Sequence, residues 1–235
     1  MISLSLIVLT RNEETIVAKN LEKINKYLKD LRNLDSYEIL VCDKSEDSTP
    51  AIVKSIALKE KIITYHDVQK KGIGAAMKKG IDNASYEFVF IYPIDMAWKI
   101  DIIEKSVREL IEGSDIVYGS RYAKGSKVAR PLKRRIFSMM YRILIKLFFD
   151  IQIRDLNGTI ALRKSSVDKF RKKLEDDGGF LPTELAIYGR QYNLKIKEIP
   201  SDVQDNRNIS NQFVFKTSWV LLKSVIRKRI KLLTE

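Results

Sequence analysis

Residues 86–98 read Tyr86-Glu87-Phe88-Val89-Phe90-Ile91-Tyr92-Pro93-Ile94-Asp95-Met96-Ala97-Trp98, and this stretch decides the fold. From 86 to 92 it is almost wholly apolar or aromatic, the pattern of a strand buried on both faces of a parallel sheet. Pro93 cannot donate to a sheet ladder, so the strand ends there. Asp95 follows two residues later. In an open α/β sheet, ligands sit beyond the carboxyl ends of the strands, so Asp95 is either a ligand-binding group or a helix N-cap.

Working outward, the same kind of run recurs at 4–10 (LSLIVLT), 38–43 (EILVCD), 61–65 (KIITY) and 115–119 (DIVYG). Between these runs lie helical patterns: 13–31, a helix from about Pro50, 72–84 and 100–111. β and α alternate five times in the first 120 residues, which predicts an α/β fold with a mostly parallel sheet flanked by helices. Asp43 and Asp95 close two of the strands on one edge of that sheet, where both can face one crevice.

At 235 residues, 45% hydrophobic and 31% charged, the chain is globular and forms one large domain or two small ones. Cys42 is its single cysteine, so no internal disulfide forms, which points to a reducing compartment. A catalytic thiol would need His66, the only histidine. The N-terminus lacks the basic region of a signal peptide, and no run is long and apolar enough for a transmembrane helix. The net charge of +13 favours an anionic partner.

From Gly119 the composition changes. The loop 119–125, GSRYAKG, is basic and bounded by glycines; 127–149 carries seven basic residues and no acid. Then come a turn (DLNGT), a short strand at 160–162, helices at 165–174 and 181–192, and a strand at 194–200. A long basic helix over 213–233 closes the chain. In it Phe215, Trp219, Leu222, Ile226, Ile230 and Leu233 make an apolar stripe beside a basic one of Lys216, Lys223, Arg227 and Lys231. The segments 134–149 and 213–233 read as core helices with basic ends or as amphipathic basic helices lying on a membrane surface.

Several groups can carry chemistry. Gly72, Gly74 and Gly80 do not match GxGxxG or a P-loop, so they mark either a tight strand-to-helix turn or a phosphate contact. Arg121, Lys124, Lys133, Arg134 and Arg135 are cations close enough in sequence to repel unless an anion lies among them. Arg134 and Ser138, four apart, share a helix face and can grip one phosphate. Glu184 is a candidate base or orienting group, or a solvated helix residue. No stacking platform or groove-reading motif supports nucleic-acid binding.

The order Asn12-Glu13-Glu14 after a strand, EILVCD with DST, KKGIGAAMKKGI, a strand running to Asp95, and GSRYAKG resembles the family 2 glycosyltransferases of GT-A fold. LKRRIFS, DLNGTIALRK and GFLPTELAIYGRQYNLKIKEIP are similar to segments of the polyprenyl-phosphate sugar synthases within that family. The resemblance implies a GT-A domain over 1–212 and a membrane-facing helix over 213–235. It implies transfer of a sugar from a nucleotide-sugar such as GDP-mannose or UDP-glucose to a polyprenyl (dolichyl) phosphate, with inversion. Glu13, Asp43 and Asp47 match nucleoside-holding positions, Gly72 and Gly74 the loop passing the nucleotide, and Arg121 the arginine near the diphosphate. Asp95 matches the last acid of a DxD motif binding Mg²⁺ or Mn²⁺; Arg134 and Ser138 match an acceptor-phosphate site. The implied place is peripheral, on the cytoplasmic face of a membrane, with a membrane subunit as an added partner. Pro93, Ala97 and Lys44 stand where the family usually carries Asp, Gln and Asp. Lys44 is thereby expected to replace a metal's charge beside the diphosphate.

Overall fold

In a computed structural model, residues 2–126, 132–203 and 211–234 are described, with 132–137 and 211–218 described by backbone alone. The first half alternates β1 (Ser3–Thr10), α1 (Val17–Asp30), β2 (Ser36–Asp43), α2 (Thr49–Lys59), β3 (Ile63–Asp67), α3 (Ile73–Asn83), β4 (Phe88–Pro93), α4 (Ile102–Ile111) and β5 (Ile116–Ser120). There follow α5 (Leu132–Phe149), β6 (Thr159–Arg163), α6 (Lys164–Asp168), α7 (Leu181–Gln191), β7 (Ile196–Pro200) and α8 (Asn211–Thr234).

The strands form one sheet in the order β3-β2-β1-β4-β6-β5-β7. β3, β2, β1 and β4 are mutually parallel, β7 is parallel to β5, and β6 runs against both β4 and β5. The run at β4 serves both faces, as its composition requires. Val89 and Ile91 join the core under α3, α5 and α7; Phe90 and Tyr92 join the one under α1 and α4. Alternate residues of a strand point to opposite faces, so a strand covered on both sides must be apolar throughout.

Three expectations shift. β3 lies two residues later than 61–65, because Ile63 first turns back to the Glu60 carbonyl and pairing with β2 then continues to Asp67. The helix expected over 165–174 breaks into α6 and a 3-10 turn at Arg171–Lys173. Phe170 leaves helical geometry there (φ −132°) and packs its ring against Tyr188 and Tyr192, with centroids 5.6 and 5.3 Å away. Burying that ring outweighs one more helical hydrogen bond.

The third concerns α8. Its buried side is Ser224, Val225 and Lys228, whereas Trp219, Ile226, Ile230 and Leu233 of the apolar stripe are exposed. Phe215 and Lys216 lie outside the described side chains. α8 packs against α5, which exposes Met139, Met140, Ile143 and Leu147. Among the described residues, no helix is long and apolar enough to cross a membrane.

Candidate functional site

The carboxyl ends of β1, β2, β3, β4 and β5 share one edge, and most of the sequence-derived candidates lie along it. Leu9 of β1 is in register with Cys42 on one side and Pro93 on the other, so Asp43 and the turn bearing Asp95 flank a single strand.

Asp43 is fully buried and takes hydrogen bonds from Thr10 Oγ1 (2.7 Å), from both the hydroxyl and the backbone N–H of Ser45, and from Tyr65 (3.3 Å). Burial, with the charges of Asp43 and Asp67, pushes the Tyr65 hydroxyl up to about 12, which keeps it a donor. A carboxylate so enclosed orders the edge.

Around it the β1–α1 and β2–α2 loops are stitched together. Asn12 N–H donates to Ser45 Oγ (2.7 Å) and Glu46 N–H to Asn12 Oδ1 (2.9 Å). Glu13 N–H donates to Thr49 Oγ1 (2.9 Å), Glu14 N–H to Asp47 Oδ2 (3.2 Å), and Ser48 N–H to Glu14 Oε2 (2.9 Å). Glu13 and Asp47 therefore lie on one rim; Asp47 also receives Thr49 N–H (3.0 Å). Lys44 leans the other way, 3.8 Å from Asp67 at the end of β3. β2 and β1 lie between that ion pair and β4.

Gly72 and Gly74 face protein. Gly72 has φ +145°, and a Cβ on it would lie 1.9 Å from the Asp177 carbonyl oxygen. One on Gly74 would lie 2.6 Å from the Asp176 oxygen. Ala75 N–H donates to that Asp177 carbonyl (3.0 Å), so the start of α3 is closed by the 175–179 loop. The Asp177 carboxylate pairs with Lys78 (2.7 Å) and Lys70 (3.2 Å).

Asp95 is half-buried and accepts Ala97 N–H (3.1 Å). It does not cap α4, whose N-cap is Asp101. Met96, at φ +51°, helps turn the chain sideways. The segment then crosses toward β5 and β7: Lys99 N–H bonds to Asp202 O, Trp98 bridges to Val203, and the Arg121 guanidinium lies 5.2 Å from the Trp98 ring centre.

Arg121 is held by Asp155, an acid that in the sequence is one letter of a turn. Its Nε and Nη2 donate to the two Asp155 carboxylate oxygens at 2.6 and 2.7 Å, and its own N–H adds a third bond at 2.9 Å. The side chains are 10% and 3% exposed. Asp155 falls in DLNGT, the last acid before β6, 30 residues past the basic loop, and no local signal in the sequence pairs the two.

On α5, Ser138 lies one turn before Arg142, whose guanidinium sits 5.2 Å over the Tyr122 ring next to Arg121. This helix face therefore approaches the GSRYAKG loop. Arg134, with Lys133 and Arg135, lies outside the described side chains.

Glu184 is neither solvated nor an open base. It is 2% exposed, accepts the N–H groups of Glu175 and Asp176 (both 2.9 Å) and pairs with Lys228 at 2.8 Å. Cys42 is buried, and burial pushes its thiol up to about 12, so the thiolate needed for nucleophilic chemistry does not form at neutral pH.

Among the described residues no group of three or more His, Cys, Asp and Glu is arranged around a metal. A hard cation that keeps water and diphosphate oxygens needs one or two protein carboxylates. Asp95 offers one such carboxylate; Pro93, two residues before it, has no side-chain donor, and its carbonyl accepts Met96 N–H (3.2 Å). The edge can therefore give one protein oxygen ligand to a cation brought in with a diphosphate.

The family model described as "Glycosyl transferase family 2" matches residues 5–171. The chain is 25% identical over 244 residues to glycosyltransferase AglD of Haloferax volcanii, covering 97% of this chain and 38% of that protein. It is 28% identical over 229 residues to the dolichol-phosphate mannosyltransferase of Pyrococcus furiosus, covering 95% and 62%. It thus spans less than two thirds of either relative. The glucosyl-3-phosphoglycerate synthase of Mycobacterium tuberculosis, solved with Mn²⁺, UDP and phosphoglyceric acid, superposes with a TM-score of 0.72 at 18% identity, over 97% of this chain and 78% of that one. At that identity the likeness establishes the GT-A fold.

Proposed function

The chain belongs to glycosyl transferase family 2, and from that premise we propose that it moves a hexosyl group from a nucleoside-diphosphate sugar to a polyprenyl phosphate at a membrane surface. One observation carries the reading: the 94–100 segment brings Asp95 and Trp98 over the same edge that Arg121 and the Ser138 face of α5 approach. A donor diphosphate near Asp95 and a lipid phosphate near Ser138 and Arg134 would then meet above β4 and β5. The dolichol-phosphate mannosyltransferase relative supports this acceptor class. GDP-mannose and UDP-glucose are the donors to test first.

The reaction is a single displacement. An oxygen of the lipid phosphate attacks the anomeric carbon, the bond from that carbon to the diphosphate oxygen breaks, and the nucleoside diphosphate leaves. A phosphate monoester is already ionised at neutral pH, so no strong base is required. The chain's part is to hold both phosphates in line and stabilise charge on the leaving group. Asp95 would hold a divalent cation on the diphosphate, which supplies positive charge to the leaving oxygens.

The exposed apolar residues of α5 and α8 lie beside Lys146, Lys223 and Arg227, which suits a helix pair lying in the headgroup layer of an anionic membrane. A peripheral place on the cytoplasmic face, with or without a membrane subunit, follows from that reading. In it, α8 is the membrane-facing part of the chain.

Incubation with labelled sugar nucleotides and polyprenyl phosphate tests the proposal; transfer to lipid is expected. A second reading, a GT-A protein that binds its nucleotide without turnover, is favoured by Pro93 in place of an acid. Binding with neither transfer nor donor hydrolysis would establish it.

A further inference from the structure

The exposed apolar stripe of α8 is backed by a charge on the opposite side. Lys228 is 4% exposed, and its ammonium lies 2.8 Å from Glu184 Oε1, 2.8 Å from the Tyr188 hydroxyl, and 4.5 Å from the Tyr188 ring centre. Glu175 Oε2 completes the surroundings at 3.9 Å. Placing a lysine here is costly unless its partners are fixed, since a buried ion pair stabilises only with well-formed geometry.

Glu184 spends its other oxygen, Oε2, on the backbone N–H groups of Glu175 and Asp176. The next residue, Asp177, presents its carbonyl to Ala75 N–H at 3.0 Å, against the glycine turn that opens α3. A continuous path of hydrogen bonds and one peptide therefore runs from α8 through α7 to the 175–179 loop and the Gly72–Gly74 turn. A second strut, Lys231 to Glu175, joins the same helix to the same loop.

We infer that Lys228 is a positioning residue: through Glu184 it couples the seating of α8 to the shape of the 175–179 loop and the glycine turn on the donor side of the edge. It touches no substrate. Its effect is conformational, because Glu184 can hold two backbone amides only while its carboxylate is oriented by the ammonium. The inference rests on the proposed function in two respects, namely that the glycine turn borders the donor site and that α8 lies on a membrane. Docking of α8 on an anionic membrane would then adjust donor binding, and donor binding would alter membrane affinity in return.

Amide hydrogen exchange on the full chain, without substrate, reads the coupling directly. Lys228→Met is expected to speed exchange at Ala75, Glu175 and Asp176 at least tenfold, and Lys228→Arg to restore most of the protection. Because Lys228→Met leaves a buried carboxylate unpaired, Lys228→Met with Glu184→Gln is measured beside it. The glutamine keeps an acceptor but loses its orienting ammonium, so the three amides are expected to remain fast. Vesicles of phosphatidylglycerol and phosphatidylcholine are expected to change exchange at these amides in the wild type and not in Lys228→Met. In turnover assays the donor KM is expected to rise about tenfold in Lys228→Met with kcat within threefold. Unchanged protection at all three amides in both variants, or an identical vesicle response with and without Lys228, would overturn the inference. Absence of sugar transfer in the wild type as well as the variants would overturn the proposed function instead, leaving the exchange result to decide the coupling.

Discussion

The carbonyl oxygen of Asp177 occupies the space a side chain on Gly72 would need, 1.9 Å from an ideal Cβ. The glycine also sits at φ +145°, which L side chains rarely adopt. Gly72→Ala must therefore displace the 175–179 loop, break the Ala75–Asp177 hydrogen bond, or both. It is expected to destabilise the protein by about 3 kcal/mol, in the range of strain added to lost packing. Donor affinity should fall with it. Urea unfolding and donor titration check this; a variant within 1 kcal/mol of wild type, on the scale of an ordinary surface substitution at about 0.5 kcal/mol, would show that the loop yields freely.

Arg121 and Asp155 form a nearly buried bidentate pair, so removing one partner strands the other. Asp155→Ala is expected to cost roughly 3–5 kcal/mol in denaturant unfolding. Arg121→Lys keeps the charge and loses the fork, so its cost should be smaller yet clearly measurable. If Arg121→Ala abolished activity while leaving stability untouched, the guanidinium would serve the ligand before the fold.

Asp95 tests the chemistry. Its Oδ1 accepts Ala97 N–H, and asparagine keeps an acceptor at that place, so Asp95→Asn should leave the unfolding midpoint nearly unchanged. Transfer should drop about 10²-fold, the usual loss for a group stabilising charge in the transition state. The loss should be the same in chelator if no cation takes part, and the added effect of chelator should vanish in the variant if Asp95 holds one. Full activity in Asp95→Asn would leave it as a turn residue.

Much of this edge was legible in the sequence. β4 announces itself because a strand covered on both faces has no polar positions, and the parallel sheet follows from the β–α alternation. Asp43 and Asp95 were placed at strand ends from the local pattern alone. The sequence does not show which partner each charged side chain takes. The loop around Arg121 does not show that Asp155, 34 residues later, grips its guanidinium. The glycine pattern at 72–74 does not show that a loop a hundred residues downstream closes over Gly72. Lys228 falls outside both stripes of α8, and only packing against α7 reveals it as the buried charge. Such pairings depend on tertiary approach, and local pattern carries no information about them.

The outward stripe of α8 gives a prediction for membranes. Ile226→Asp and Ile230→Asp should each lower affinity for anionic vesicles in cosedimentation by about 30-fold, since burying one such side chain contributes roughly 2 kcal/mol. Thermal stability should hold, because both residues are exposed. Binding should also weaken as salt is raised. Undiminished vesicle binding in both variants would assign the stripe to a protein partner.

The 175–177 loop should be the acid-sensitive part of the fold. The hydrogen bond from Lys231 chiefly holds the Glu175 carboxyl below its usual value, and that from Lys78 does so for Asp177. Both groups bind protons less readily folded than unfolded. Their stabilisation is complete above the ordinary carboxylate values of 4.5 and 3.8 and fades as pH falls through the lower folded values. Midpoints measured from about pH 6 down to about pH 2 should therefore drop less in Lys78→Met than in wild type. Parallel curves would exclude the ion pair as the source.

The stitched rim has a consequence for how such a chain tolerates change in length. β1 and β2 pair at a constant offset of 33 residues, and the side-chain bonds Asn12–Ser45 and Glu14–Asp47 continue that offset past the last strand pair. The two loops thus keep count of the residues between them. A single deletion inside β2 would slip every one of these pairings by one place and turn the strand's buried side chains to the wrong face. The same deletion at 32–34, before Asp35 pairs with Ile2 at that offset, would shorten a connection and leave the pairings in step. Insertions and losses accumulating over descent should therefore collect at the far edge of the sheet, leaving the ligand edge fixed in length while its side chains remain free to vary.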